Sequence, residues 1–226
     1  MKNYFSLSVI AVGVITFTGI NSCKKDAMTS PGIVTAEEFQ QVYTLDQKGW
    51  VFKDNTRSGY YATAAWTQGT AGTDKTGAYY GFPAYSKKSS DDEYAYSAVS
   101  GYDSSTYVSA WMITPVLSLK NGDVVSFYSR GDQGTGYTDR LQVLMNQSAS
   151  ATVGDSAYSV GEFTTVLFDI NPGQTPGGYP QAWTKYEFTF TGFAEKTDRR
   201  IAFRHYVENA INARGVGIDL FQFKSK

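Results

Sequence analysis

The sequence predicts an all-β protein, a jelly-roll-like antiparallel β-sandwich. Three observations point there. Aromatic residues make up 15% of the chain, with 17 Tyr, 14 Phe and 22 Gly, a composition that suits strands and turns better than helices. Period-two alternation recurs, as in Val125 and Phe127 against Ser126 and Tyr128, or Leu141, Val143 and Met145 against Gln142, which marks strands with one face buried. No stretch carries a convincing amphipathic helical repeat, so sheet must pack on sheet.

The chain begins with a segment of another kind. Lys2 precedes an uncharged apolar run from Val9 to Ile20, too short for a membrane span and suited to the core of a secretory signal. It closes Ile20-Asn21-Ser22-Cys23, followed by Lys24-Lys25-Asp26. An aliphatic residue, a small residue and then Cys is the pattern of a bacterial lipobox, where the thiol takes diacylglycerol and becomes the new N-terminus. Residues 1–22 are therefore expected to be a lipoprotein signal peptide, Cys23 the lipidated residue, and 23–36 a flexible tether. Residues 37–226 are expected to form one sandwich domain, as no internal repeat or shift of composition divides them. Cys23 is the only cysteine, so no intramolecular disulfide can form. Net charge is −1, which argues against a nucleic-acid partner.

In chain order, Glu37 to Thr44 reads as a strand or short lead-in, and Gly49-Trp50-Val51-Phe52 as the next apolar run. Asp54 to Gly59 is a polar loop. Strands are expected over Tyr60–Trp66, Ala78–Tyr85 and Tyr94–Val99, separated by Gly-rich and charged loops. The stretch from Ala110 to Met145 is the centre of the sandwich, with Trp111, Ile113 and Phe127 expected in its core. Pro115 interrupts it, lacking an N–H, and Asn121-Gly122-Asp123 makes a turn. Strands over Phe163–Ile170, Trp183–Phe190, Arg200–Val207 and Gly217–Phe223 complete the count. In Trp183–Phe190, Tyr186, Phe188 and Phe190 share one face.

Several landmarks then line up. Gly49-Trp50, Trp66, Trp111-Met112-Ile113-Thr114-Pro115, Val124 to Tyr128, Arg200-Ile201-Ala202-Phe203-Arg204-His205 and Gly217-Ile218-Asp219 together resemble the cleaved-adhesin, or choice-of-anchor J, domains of secreted and surface-anchored bacterial proteins. The resemblance spans about Glu37 to Phe223. It implies a jelly-roll sandwich that is adhesive or ligand-binding rather than catalytic, with calcium bound in many members. Asp219, in the last strand, is where such members place a ligand. Asp54 and Asn55 after the first Trp, and Glu38 in the lead-in, are the other expected calcium residues. The acidic, Gly-interleaved loop common after Gly-Trp is here reduced to Asp54-Asn55.

Other chemistry is sparse. His205 is the only histidine; it sits within an apolar strand, where a structural role is expected, and a His-rich zinc site is excluded. No catalytic residue is assigned. Arg130-Gly131-Asp132 is a tripeptide that integrins read when a loop tip displays it. Tyr79, Tyr80, Tyr85, Tyr94, Tyr96, Tyr102, Tyr107, Tyr137 and Tyr179 supply aromatic faces on which sugars stack. The expectation is a lipid-anchored protein of the bacterial outer membrane or cell surface, held to the membrane by its N-terminal lipid, with a glycan or a surface or host protein as partner. A secreted hydrolase with two carboxylates, or a structural envelope lipoprotein without a small ligand, are the competing readings. The sequence names no ligand.

Overall fold

The computed structural model describes residues 32–57, 64–73, 75–77, 79–86, 92–99 and 106–226. Among them, antiparallel strands make two sheets that face each other. The first contains β1 (Gly32–Glu37), β3 (Trp66–Gln68), β6 (Ala95–Ala98), β9 (Val124–Gly131), β12 (Thr184–Thr189) and β15 (Gly215–Ser225). Its order is β12-β9-β15-β6-β3, with β1 also pairing β15. The second contains β2 (Val51–Asp54), β7 (Val108–Ile113), β10 (Leu141–Met145), β11 (Thr165–Ile170) and β14 (Ile201–Val207), in the order β11-β10-β14-β7-β2. Two short ladders lie outside them: β4 (Gly72–Thr73) with β5 (Tyr79–Tyr80), and β8 (Leu117–Leu119) with β13 (Thr197–Arg199). This is the all-β sandwich that the composition and alternation predict.

The core lies between the sheets. Phe127 of β9 meets Phe203 of β14 edge to face at 5.0 Å and stacks with Tyr186 of β12 at 5.3 Å. Phe221 of β15 packs against both Phe203 and Trp50. Tyr186 and Phe188 of β12 pack against this core, and Phe190 just beyond it is buried within it, while Lys185, Glu187 and Thr189 are exposed.

Trp111 and Ile113 depart from their expected place. All six residues of β7 are buried, with Ala110 and Met112 in the inter-sheet core. Trp111 and Ile113 point the other way, into a second cluster with Leu144, Val153, Phe163 and Ala202. The segment 149–163 covers that outer face, so β7 is apolar on both sides, as central strands covered on both faces are. Arg204 is buried beside Trp111, its guanidinium 4.7 Å from the Trp111 ring and 4.0 Å from that of Tyr206. It donates to Ser109 Oγ, Gln142 Oε1 and the Ala157 carbonyl. Burial lowers its pKa to about 10, leaving it a cation held by neutral acceptors and ring faces.

Two boundaries are corrected. The expected tether 23–36 overlaps β1, because Gly32 to Glu37 pairs with the lower half of β15. Its side chains are mostly exposed, so no alternation betrayed it. Glu37–Thr44 is not one extended run: the strand ends at Glu37 and a 3-10 helix spans Val42–Lys48, burying Val42 and Leu45. Gly49 ends that helix at φ 85°, a conformation that glycine adopts without a Cβ penalty. Residues 1–22, Cys23 and Tyr102 lie outside the described residues.

Candidate functional site

β15 organises the outer face of the first sheet. Val216 and Ile218 point into the core, fully buried. Gly215, Gly217 and Asp219 alternate with them and face outward. The two glycines leave a trough that nothing larger would allow. A Cβ on Gly215 would lie 2.2 Å from the Tyr96 hydroxyl, and one on Gly217 would lie 2.8 Å from the Phe82 ring and 3.1 Å from Trp183. Phe82, Tyr94, Tyr96 and Trp183 therefore settle onto the backbone as an aromatic layer.

Asp219 holds the covering segment in place. Its Oδ2 accepts from the Tyr85 and Ser86 backbone N–H groups, each at 2.8 Å, and its Oδ1 accepts from Leu220 N at 2.6 Å. The Ser86 hydroxyl sits 2.9 Å from Oδ1 and 3.0 Å from Oδ2. Burial pushes the carboxyl up to about 6, and these hydrogen bonds pull the other way. Just outside, Tyr85 stacks on Tyr128 at 3.6 Å, with their hydroxyls hydrogen-bonded at 2.8 Å.

At the end of the trough, where β9 finishes and β15 begins, two contiguous cavities of about 440 Å³ each open to solvent. Tyr80, Asp132 and Arg214 line both, with Arg130, Gln133 and Tyr137 in one of them. Tyr96 donates to Asp132 Oδ2 at 2.5 Å, and Arg214 Nε lies 3.6 Å from the same oxygen. Burial raises the Asp132 carboxyl above its ordinary range, while Tyr96 and Arg214 lower it. Burial and Asp132 push the Tyr96 phenol up. The Arg130 guanidinium lies 4.2 Å from the centre of the Phe82 ring. The loop holding Gln133 and Tyr137 is pinned to the segment before β12: Gln181 Nε2 donates to Gly134 O at 2.9 Å, and Gly177 N to Tyr137 O at 2.8 Å. The groove thus combines exposed tyrosine, two guanidinium groups, a fixed carboxylate and an amide on a braced frame.

The residues singled out from sequence fare unequally. Tyr80, Tyr96 and Tyr137 belong to the groove, whereas Tyr94 and Tyr179 are buried and Tyr107 packs against Tyr158. Arg130-Gly131-Asp132 is not displayed at a loop tip: Arg130 is 9% exposed and packed on Phe82, and Asp132 is turned to Tyr96. An integrin reading needs that display and does not have it. The four expected calcium residues are not brought together. Asp54 lies on β2, the edge of the second sheet, and accepts from Thr56 N. Asn55 donates to Gly154 O, and Glu38 follows β1. Asp219 is buried in the first sheet, facing N–H and O–H donors. Among the described residues, no three His, Cys, Asp or Glu side chains are grouped to hold a metal ion.

His205 joins the two sheets. Its Nδ1 is 3.0 Å from Ser97 Oγ on β6, and its Nε2 is 3.0 Å from Asp139 Oδ1. Asp139 also accepts from Arg214 N, and Ser97 donates to Ala64 O. The trio has the composition of a hydrolytic triad, but Ser97 and His205 are fully buried and Asp139 is 1% exposed. The ring is also reversed, since a nucleophilic serine meets Nε2 and the carboxylate meets Nδ1. No substrate reaches it. Its role is the structural one expected of a histidine in an apolar strand, a satisfied polar tie across the core.

No family model and no curated protein matches the chain. Among solved structures, it is similar to the K1 cleaved adhesin domain of Lys-gingipain from Porphyromonas gingivalis W83, with 17% identity, covering 85% of this chain and 98% of that one, at a TM-score of 0.53. The K3 cleaved adhesin domain of the same protein gives 15% identity, 86% and 100% coverage and a TM-score of 0.50. At these identities the likeness is one of fold.

Proposed function

We propose that the chain is a lipid-anchored envelope protein whose sandwich binds carbohydrate, without catalysis, in the groove lined by Tyr80, Asp132, Tyr137 and Arg214. The observation that carries this reading is the pairing of exposed aromatic surface with fixed polar groups. Tyr80 is 47% exposed at the rim, and Asp132 is positioned by Tyr96 and Arg214 beneath it. Sugars bind by laying C–H faces on such rings while hydroxyls meet carboxylate, guanidinium and amide groups. The braces from Gln181 and Gly177 hold the site before any ligand arrives, which lowers the ordering cost of binding.

Binding rather than hydrolysis is favoured by the carboxylate count. Asp132 is the one Asp or Glu among the described residues lining the two cavities, whereas glycoside hydrolysis ordinarily needs two carboxyl groups across the scissile bond. Anchoring is supported by the order of the apolar run, Ser22 and Cys23, and mass spectrometry of protein from its native host should find an acylated mature N-terminus at Cys23.

The test of binding is a glycan array probed with the full chain, followed by titration of the hits. Tyr137→Ala and Arg214→Ala should each weaken binding by about tenfold or more, a loss of about 1.4 kcal/mol. Tyr158→Ala, which alters an exposed ring outside the groove, should not. Glycan binding that survives both groove substitutions would place the site elsewhere, and reducing-end release from a bound oligosaccharide would make the protein a hydrolase.

A further inference from the structure

The chain enters the sandwich at the end opposite the groove. Gly32 pairs with Ser225, and Lys224 with Val124. At the other end Gly131 pairs with Val216 and Arg130 with Gly217, beside the groove. The 8 residues of β9 join the two ends, roughly 25 Å at about 3.3 Å per residue.

The lower end carries apolar surface in water. Ile33, Val34 and Val116 are 58%, 61% and 42% exposed. Val34 and Val116 line one shallow depression with Leu117, Phe223 and Lys196. Val116 stands at this end because β7 runs downward, from Val108 opposite Val207 to Ile113 opposite Ala202. Around these residues lie Lys120, Lys196, Lys224 and Lys226, against the acids Glu195, Asp198 and Glu187, the last beside Lys224. Asp123, at the same end, is buried and taken up by Lys120 N, Ser225 Oγ and Lys226 N. Exposed apolar residues rimmed by lysine are the surface that an anionic bilayer favours.

The length of chain before β1 points to the same occupant. From Cys23 to Gly32 the sequence reads Cys-Lys-Lys-Asp-Ala-Met-Thr-Ser-Pro-Gly, which spans roughly 30 Å at full extension. A lipid on Cys23 would keep the lower end within that distance of the bilayer, and two further lysines lie in the span. We infer that the lower end rests on the lipid surface, with Ile33, Val34 and Val116 against the headgroups, so that the groove faces away from the membrane. This rests on the anchoring proposed above. The two ends of one sheet then differ in role, the lower meeting lipid and the upper meeting ligand.

The wild-type chain has no thiol besides Cys23, so an introduced cysteine reports alone once Cys23 is acylated. Full-length Val116→Cys and Tyr137→Cys proteins, made in a bacterium that processes lipoproteins, are labelled with a polarity-sensitive thiol probe. They are then placed in vesicles of phosphatidylethanolamine and phosphatidylglycerol. The probe at 116 should be quenched by a lipid-borne quencher several-fold more than the probe at 137, and should resist aqueous iodide. Replacing Lys196, Lys224 and Lys226 by Glu should restore iodide access at 116. Equal iodide access at both positions in vesicle-bound protein would overturn the orientation while leaving the anchor intact. Shielding at 116 that follows protein density rather than lipid quencher would assign the face to a second copy, and also overturns it. Wild-type protein that takes label at Cys23 and stays off the vesicles would overturn the anchoring, and this inference with it.

Discussion

Asp219 gives the sharpest handle on how the groove is held together, because its contribution changes with pH in a direction the structure fixes. The carboxyl ionises near 3.8 in an open chain and is pushed up to about 6 by burial in the fold. The folded state therefore binds the proton more tightly than the unfolded state. The group's contribution to stability is full below the unfolded value and is lost as pH rises through about 6. The gap between 3.8 and about 6 corresponds to about 3 kcal/mol, at about 1.4 kcal/mol per pH unit. For a domain of this size that is roughly 6–12 °C in melting midpoint. The N–H groups of Tyr85, Ser86 and Leu220 and the Ser86 hydroxyl all donate to the two oxygens and favour the ionised form, so the rise is what burial leaves after they have acted against it. Denaturant unfolding of the wild type and of Asp219→Asn across pH 4–8 isolates the effect, since other carboxyl groups titrate alike in both. The stability difference should shift by about 2.4 kcal/mol between pH 4 and pH 7, somewhat less than the full gap because the unfolded carboxyl is already more than half ionised at pH 4, with the wild type favoured at the acid end. Ser86→Ala, which removes a hydroxyl that donates to the ionised carboxylate, should enlarge that shift. Parallel curves for wild type and Asp219→Asn would show that the carboxyl keeps its ordinary pKa and that the argument from burial is wrong.

Other outcomes follow from the packing. Phe127→Ala should cost about 3–5 kcal/mol, seen as a large fall in melting midpoint, because Phe127 is fully buried and touches Tyr186, Phe168 and Phe203. Gly217→Val would drive a side chain into Phe82 and Trp183; it should quench or shift tryptophan emission and weaken groove binding while the far-ultraviolet spectrum stays β. If calcium raises the melting midpoint, Asp219→Asn should leave that rise in place, since Asp219 faces donors; a rise abolished by the substitution would put the ion at Asp219.

How much of this was legible depended on whether a residue's neighbours in space were its neighbours in sequence. β12 shows its alternation plainly, since one face is core and the other is water. β7 does not, because segment 149–163 covers its outer side and Trp111 reads like any inward residue. β1 escaped notice because an edge strand with exposed side chains has nothing to alternate. Asp219 stands out in sequence as an acid among Ile218, Leu220 and Phe221, and that singularity serves the backbone amides of Tyr85 and Ser86. Those amides lie 134 and 133 residues away in the chain. The groove is harder still. Tyr80, Asp132, Tyr137 and Arg214 come from separate segments, and the signal that could have pointed to them is the Gly215-x-Gly217-x-Asp219 pattern, whose missing Cβ atoms let aromatic rings lie flat on β15.

That pattern also explains why β15 contains a bulge, and the bulge yields a final prediction. Above it, Val216 and Ile218 point inward; below it, Phe221 and Phe223 do. The inward parity changes from even to odd, which a regular strand cannot do, because side chains alternate with a period of two. The change is made at Leu220, whose φ is 47°, where the pairing with β9 jumps from Asp219 opposite Tyr128 to Gln222 opposite Ser126. Asp219 Oδ1 accepts the Leu220 N–H at 2.6 Å and so holds the kink. The bulge lets the upper half present Gly215, Gly217 and Asp219 to the groove while the lower half keeps its aromatics in the core and pairs with β1. Deleting Leu220 would remove the extra residue, and Val216, Ile218, Phe221 and Phe223 would then share one face of a regular strand. Keeping Leu220 without the kink would instead force a choice. Either Phe221 and Phe223 turn out to water, or Gly217 and Asp219 turn into the core with a carboxylate among them. Leu220→Val, whose β-branched side chain opposes a φ of 47°, should therefore cost about 1–3 kcal/mol of stability, whereas Leu220→Gly and the Leu220 deletion should both fold with a cooperative melt. An insoluble or molten deletion variant would show that the extra residue does more than change the parity of β15, and the argument from parity would fall.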